Sequence, residues 1–256
     1  TYADCHLLAA ATSTSQVELF LLSERDASLV HIGKVISPNG PLLCLLLRPV
    51  STPTGRAILM LGGATGGSLI LWDLSSLLAA GATAAATDLP PISVIEGLHA
   101  MGVNCMCLMA AEPASVEAKA AHRLMIGTGG DDQAVAVGAL SICARADGTL
   151  EALPSDRRAR HSSHSAGVRG VAALSSRYLI SVGADSQLIA WHATGDALQP
   201  CWRVAASIEQ VHALCVYSEQ QEEEPGGHTE PKAVAVVVGC GVEAFKLPAH
   251  ILRDID

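Results

Sequence analysis

His164, Ser181 and Asp185 are the residue types of a hydrolytic triad, in which a serine attacks, a histidine takes its proton and a carboxylate orients the histidine. The surrounding sequence argues against that chemistry. No G-x-S-x-G elbow presents Ser181, which sits inside the apolar run LISVG. The same three residues, followed by Trp191, can instead form a chain of hydrogen bonds buried between strands. An unpaired polar group there costs about 1–3 kcal/mol, so each must find a partner. The constellation is read as structural.

Other residues invite chemical readings that their spacing weakens. His161 and His164 in HSSH look like the edge of a metal site, but His164 is already committed to the buried chain. Cys105 and Cys107 flank a single residue, which places them on one strand face and not in a zinc knuckle, so no metal is expected. The glycine clusters GGATGG at 62–67 and GTGGDD at 127–132 resemble phosphate loops only in composition. Each leads into alternating strand sequence, SLILW or QAVAV, whereas a phosphate loop must lead into a helix. They are hairpin turns that use glycine for positive φ. Arg157, Arg158 and Arg160, next to His161, form the one concentrated positive run, able to touch an RNA backbone or an acidic partner, or simply to be a solvated loop. The acidic run Glu222–Glu224 reads as a solubilising loop tip.

These residues fall at repeated places along alternating strands. The segment 164–191, HSAGVRGVAALSSRYLISVGADSQLIAW, places His164 before an apolar strand, Ser181 inside the next, Asp185 at a tight turn and Trp191 in the strand after it. This is the spacing of one WD repeat, and the segment resembles that family. The resemblance implies an indole N–H donating to the serine, the serine to the histidine and the histidine to the aspartate. A loose period of about 40–45 residues gives five units over the chain. The first has two strands in LLAAATSTSQVELFLL, with Phe20 at the tryptophan place. The second ends in Trp72 and Asp73, the dipeptide that names the family, with Gly66 at its turn. The third has His99, Thr128 and Asp132, with Gly138 replacing the tryptophan. The fourth is complete, and the fifth closes on Phe245 without polar markers.

The fold class expected is all-β, a WD-repeat β-propeller spanning 1–256 as one domain and forming part of a larger seven-bladed or multi-propeller protein. The chain begins at Thr1 in mid-repeat, and further blades are expected upstream. Insertions are expected near 79–93, 111–121 (a short helix), 144–161 and 218–232, where composition is Ala-rich, polar or acidic.

Composition narrows the function. Half of the residues are apolar, 16% are charged and only 3% aromatic, so the core is built from Ala, Val, Leu and Ile. A net charge of −9 opposes broad binding to nucleic acid or an acidic membrane and favours a protein partner. Eight cysteines, mostly within apolar runs, read as buried free thiols in a reducing compartment. No apolar run reaches the ~20 residues of a membrane span, which makes the expected location cytoplasmic.

Residues 97–247 resemble the C-terminal repeats of the WD-repeat partners of the 2′-O-methyltransferase acting at tRNA wobble position 34. The motifs are HAMGVN at His99, GGDDQAVAV, H-x-x-H-x-x-G-V from His161, LISVGADSQLIAW and GCGVEAFKL. The resemblance implies a non-catalytic scaffold that binds the methyltransferase and helps present the anticodon, with the methyl donor and catalytic residues on the partner. No glycine-rich methyl-donor loop occurs here, so no cofactor is expected. If tRNA touches this chain, Arg157, Arg158 and Arg160 are the expected contacts. The alternatives are a substrate receptor of a ubiquitin ligase or a generic assembly scaffold. Against the former, the docking arginine of a Trp-Asp-x-Arg motif is missing, since Ser75 follows Leu74 after Trp72-Asp73, and His192 follows Trp191.

Overall fold

A computed structural model describes residues 5–52, 55–80, 89–113, 122–145, 147, 149–219 and 232–252. Its strands form five antiparallel meanders, each made of strands consecutive in sequence. The first contains β1 (Cys5–Ala11), β2 (Gln16–Ser23) and β3 (Leu29–Ile36). The second contains β4 (Leu42–Thr52), β5 (Gly55–Ala64), β6 (Leu69–Asp73) and, after the short helix α1 (Ser75–Ala80), β7 (Ser93–Ile95). The third contains β8 (Val103–Pro113), β9 (His122–Gly130), β10 (Ala134–Ala144) and β11 (Leu150–Ser162). The fourth is β12 (Val168–Ala173), β13 (Tyr178–Gly183), β14 (Gln187–Thr194) and β15 (Ala197–Ala205). The fifth is β16 (Ala213–Glu219), β17 (Lys232–Gly239) and β18 (Gly241–Lys246), followed by α2 (Ala249–Leu252).

The repeat is written in the backbone as well as in the side chains. Gly67, Gln133 and Ser186 stand at the same place in the turns of the second, third and fourth meanders, and all three have positive φ (83°, 65° and 57°). In two of these turns the same bond closes the loop: Gly67 N–H donates to Ala64 O and Ser186 N–H to Gly183 O, each at 3.1 Å. Only glycine fits at 67, because a Cβ there would lie 2.8 Å from the Met101 carbonyl oxygen and collide with that of His99.

The chain divides into two compact units. The first comprises 1–103, 114–122 and 141–153; the second comprises 104–113, 123–140 and 154–256. In the first, Val17, Leu19, Ile32, Val35, Met60, Ile70, Trp72 and Leu74 form one apolar core. In the second, Trp191 packs with Val135, Val137, Val168, Leu179 and Ile189, while Ile180, Val182, Leu188, Ala235 and Val237 pack together on the other face of the fourth meander. Aliphatic and alanine side chains supply these cores, as an interior with few aromatic residues requires.

Three expectations are corrected. Residues 144–161 are no insertion: only a short turn, closed by Arg145 N–H donating to Thr149 O (2.8 Å), separates β10 from the long strand β11. Leu150, Ala152 and Ala159 turn inward, and the charged residues between them suit an edge strand, which tolerates polarity. Residues 111–113 belong to β8 and not to a helix, and 114–121 lie outside the described residues. The cysteines are free but not uniformly buried, since Cys201, Cys215 and Cys240 are exposed. Of the other two expected insertions, 81–88 and 220–231 lie outside the described residues; α1 and β7 flank the former, β16 and β17 the latter.

Candidate functional site: a buried tetrad and a charged turn

Four side chains of the fourth meander meet in one chain of hydrogen bonds. β13 carries Ser181 and β14 carries Trp191, both fully buried; His164 enters ahead of β12, and Asp185 lies in the β13–β14 turn. Trp191 Nε1–H donates to Ser181 Oγ at 2.7 Å. Ser181 Oγ lies 2.8 Å from His164 Nε2, and His164 Nδ1 lies 3.0 Å from Asp185 Oδ1. Indole can only donate and carboxylate can only accept, so Trp191 donates to Ser181 and His164 Nδ1 carries a proton directed at Asp185. With the ring neutral, as burial favours, Ser181 donates to Nε2. The carboxylate also accepts from the Ser165 amide (2.8 Å) and the Gln187 amide (3.1 Å), tying the turn to the start of β12.

Electrostatics agree with this assignment. Burial drives the His164 pKa below its ordinary 6.5, outweighing the hydrogen bond and charge of Asp185, which act to raise it. Asp185 is held below its ordinary 3.8: burial raises it, but the Ser165 amide, His164 and the Gln187 amide together prevail. Ser181 has the atomic neighbours of a nucleophile but no route to a substrate. Its oxygen is sealed at 0% exposure with the indole N–H already directed at it. This trio holds strands together.

Gly183 is a component that sequence reasoning missed. A Cβ there would lie 2.5 Å from His164 Nδ1 and would also collide with Asp185 Oδ1, so glycine makes room for the pair. Its identity in LISVGAD was visible, but nothing in the spacing said which side chains would converge on it. His161 is placed differently from a metal ligand: its ring packs against Trp191 at 5.4 Å, and its Nδ1 is 2.8 Å from Ser163 Oγ. Among the described residues no group of three or more His, Cys, Asp or Glu side chains is placed to hold a metal ion.

The partial repeat markers occupy equivalent places. His99 is buried ahead of β8. Thr128 on β9 donates to the Ala136 carbonyl at 3.3 Å. Asp132 in the next turn accepts from the Ala134 amide at 3.3 Å and from Arg160 Nη2 at 2.7 Å. Beside it, Asp131 Oδ1 accepts from Asn104 Nδ2 at 2.7 Å, and Arg169 lies 3.5 Å away. The guanidinium of Arg160 is thus already turned toward a carboxylate. Arg157 and Arg158 lie on β11, and their side chains fall outside the described residues. Trp72 is fully buried on β6, while Asp73 accepts from the amide and hydroxyl of Ser75 and so caps α1.

Successive antiparallel meanders with a Trp–Ser–His–Asp chain across one of them give this all-β chain the strand order and side-chain spacing of WD-repeat β-propeller blades. Within that class, the chain is similar to the rat tRNA (34-2′-O)-methyltransferase regulator WDR6, with 28% identity over 202 residues, covering 72% of this chain and 17% of that protein. The chain thus spans about a sixth of the length of this relative. No family profile matches. A chain in the crystal structure of the mitotic checkpoint complex aligns over 97% of this chain and 62% of its own length, with TM-score 0.47 and 17% identity. Among the described residues no helix is long and apolar enough to cross a membrane.

Proposed function

We propose that this chain is part of a non-catalytic WD-repeat scaffold that binds a tRNA 2′-O-methyltransferase and supports methylation of the wobble nucleotide of the anticodon. The observation that carries the reading is the similarity, over 202 residues, to a regulator of the enzyme acting at position 34. The sealed state of Ser181 agrees with a scaffold, because the one triad-like grouping in the fourth meander is committed to holding its strands. On this reading the methyltransferase supplies the methyl donor and the catalytic groups, the scaffold works in the cytoplasm, and tRNA contact runs through the complex, with Arg157, Arg158 and Arg160 as contacts.

Cells depleted of the protein that contains this chain are expected to lose 2′-O-methylation at tRNA position 34 while keeping ribose methylation elsewhere. Re-expression should restore it, and the purified protein should co-elute with the methyltransferase. Unchanged methylation at position 34 would overturn the reading.

A further inference from the structure

The second compact unit contains a pocket of about 380 Å³ that the tetrad does not use. Arg123 and Met125 of β9 and Val137–Ala139 of β10 form one side. Ser176 and Arg177 of the β12–β13 turn and His192–Gly195 at the end of β14 form the other. Its volume lies within the ~300–1,000 Å³ of ligand sites. In a chain of net charge −9, this pocket has two arginines and a histidine in its lining and, among the described residues, no carboxylate; the nearest in sequence is Asp196, just past Gly195. Low-dielectric walls on both sides focus that positive potential.

The parts are held in place before any ligand arrives. Ser175 Oγ accepts from the amides of Arg177 and Tyr178, each at 3.2 Å, and the Arg177 carbonyl accepts from the Ala193 amide at 2.8 Å. The turn that carries Arg177 is thereby pinned to β14. The His192 ring lies flat on Tyr178, with centroids 4.5 Å apart and planes within 10°. Tyr178 is itself buried, so this stack is a fixed platform at the pocket wall.

We propose that this pocket binds an unpaired RNA strand, with Arg123 and Arg177 on a phosphate and the His192–Tyr178 stack beside a base. Guanidinium forks match phosphate oxygens, and a cationic groove with an aromatic platform is the arrangement that takes single strands without reading sequence. A phosphopeptide would need the cations but not the platform. The inference deepens the scaffold reading above and rests on it for the choice of RNA.

The test measures fluorescence anisotropy of a labelled ten-nucleotide oligouridylate and of a phosphoserine peptide with the full-length protein. Combining Arg123→Gln with Arg177→Gln is expected to weaken the oligouridylate about tenfold or more. It should also reduce the slope of log K against log salt, by about 0.7 for each single-strand phosphate that is no longer neutralised. His192→Ala is expected to weaken it about fivefold at every salt concentration, as removal of one stacking ring does. Arg145→Gln, which removes an exposed arginine paired with Glu151 at 3.0 Å, should change nothing. If the double variant does not fold, Ser176→Glu places a negative charge in the lining and should give the same loss. Unchanged affinity and slope would overturn the proposal, as would tighter binding of the phosphopeptide with the same dependence on the arginines. Pocket-dependent RNA binding with normal methylation at position 34 after depletion would overturn the scaffold reading alone. Lost methylation with pocket-independent RNA binding would overturn this inference alone.

Discussion

The second and fourth meanders bury tryptophans at the same place in the same strand register, yet they satisfy them in opposite ways. Trp72 pairs across to Met60 and Trp191 to Leu179, and both are 0% exposed. Ten residues before Trp191 stands Ser181, whose oxygen takes the indole proton; ten before Trp72 stands Gly62. Among the described residues Trp72 Nε1 consequently has no hydrogen-bond partner. The side chain of Leu42 fills the space instead, lying 2.5 Å from where a Cβ on Gly62 would be. One blade is fastened by a polar chain, the other by apolar packing that tolerates an orphan donor. The indole volume is what both require, and the tetrad adds orientation to one of them.

If volume is the shared requirement, Trp72→Ala and Trp191→Ala should each destabilise their unit by about 3–5 kcal/mol, measured by denaturant unfolding. A much smaller loss at either site would separate the two blades at the level of packing. The polar chain should then appear in substitutions that spare volume. Asp185→Ala strands the His164 proton and two backbone amides, and is expected to cost about 1–3 kcal/mol. Gly66→Asp puts a carboxylate at the equivalent turn of the second meander, where neither a serine nor a histidine completes the chain, and should yield no stabilisation. Gly183→Ala should fall in the same range of about 1–3 kcal/mol through overpacking against His164 and Asp185.

A finer contrast comes from Trp→Phe. At 191 the change removes a bonded donor from Ser181, with an expected loss of about 1 kcal/mol beyond that of the lost ring volume. At 72 the same change removes an unsatisfied donor, so only the volume term remains. Thermal unfolding of the two variants should therefore differ, with the 191 variant the weaker. Equal losses would mean that the orphan indole N–H of Trp72 is solvated after all.

The tetrad was legible in the sequence because its members are rare polar residues set inside apolar runs at fixed offsets, and the turn positions were legible from glycine and aspartate. What could not be read was anything carried by ordinary residues. Leu42 as the filler beside Gly62 is one leucine in the run PLLCLLL, and only the register of β4 on β5 selects it. Outer strands were equally hidden. β11 is rich in charge because it lies at a sheet edge, and Leu150, Ala152 and Ala159 are too widely spaced among charged and proline residues to show alternation. The platform of His192 on Tyr178 joins residues that face each other across β13 and β14, Tyr178 pairing with His192, a proximity that register alone creates.

The smallest expected effect separates the blades by pH. His164 has a folded pKa below its ordinary 6.5, chiefly because burial disfavours the charged ring. As pH falls through about 6.5, the unfolded chain takes up a proton that the folded chain resists. Stability contributed by the neutral ring is therefore whole above that value and declines below it. No ionisable side chain takes part at Gly62 and Trp72, so the second meander has no equivalent. His164→Gln removes the titration along with the hydrogen bonds. The variant should be clearly less stable than the parent at pH 7.5, and the gap between their unfolding midpoints should narrow as pH falls to 5. A gap that widened instead would mean that Asp185 holds the ring protonated in the fold, with His164 Nε2 donating to Ser181 Oγ and not accepting from it.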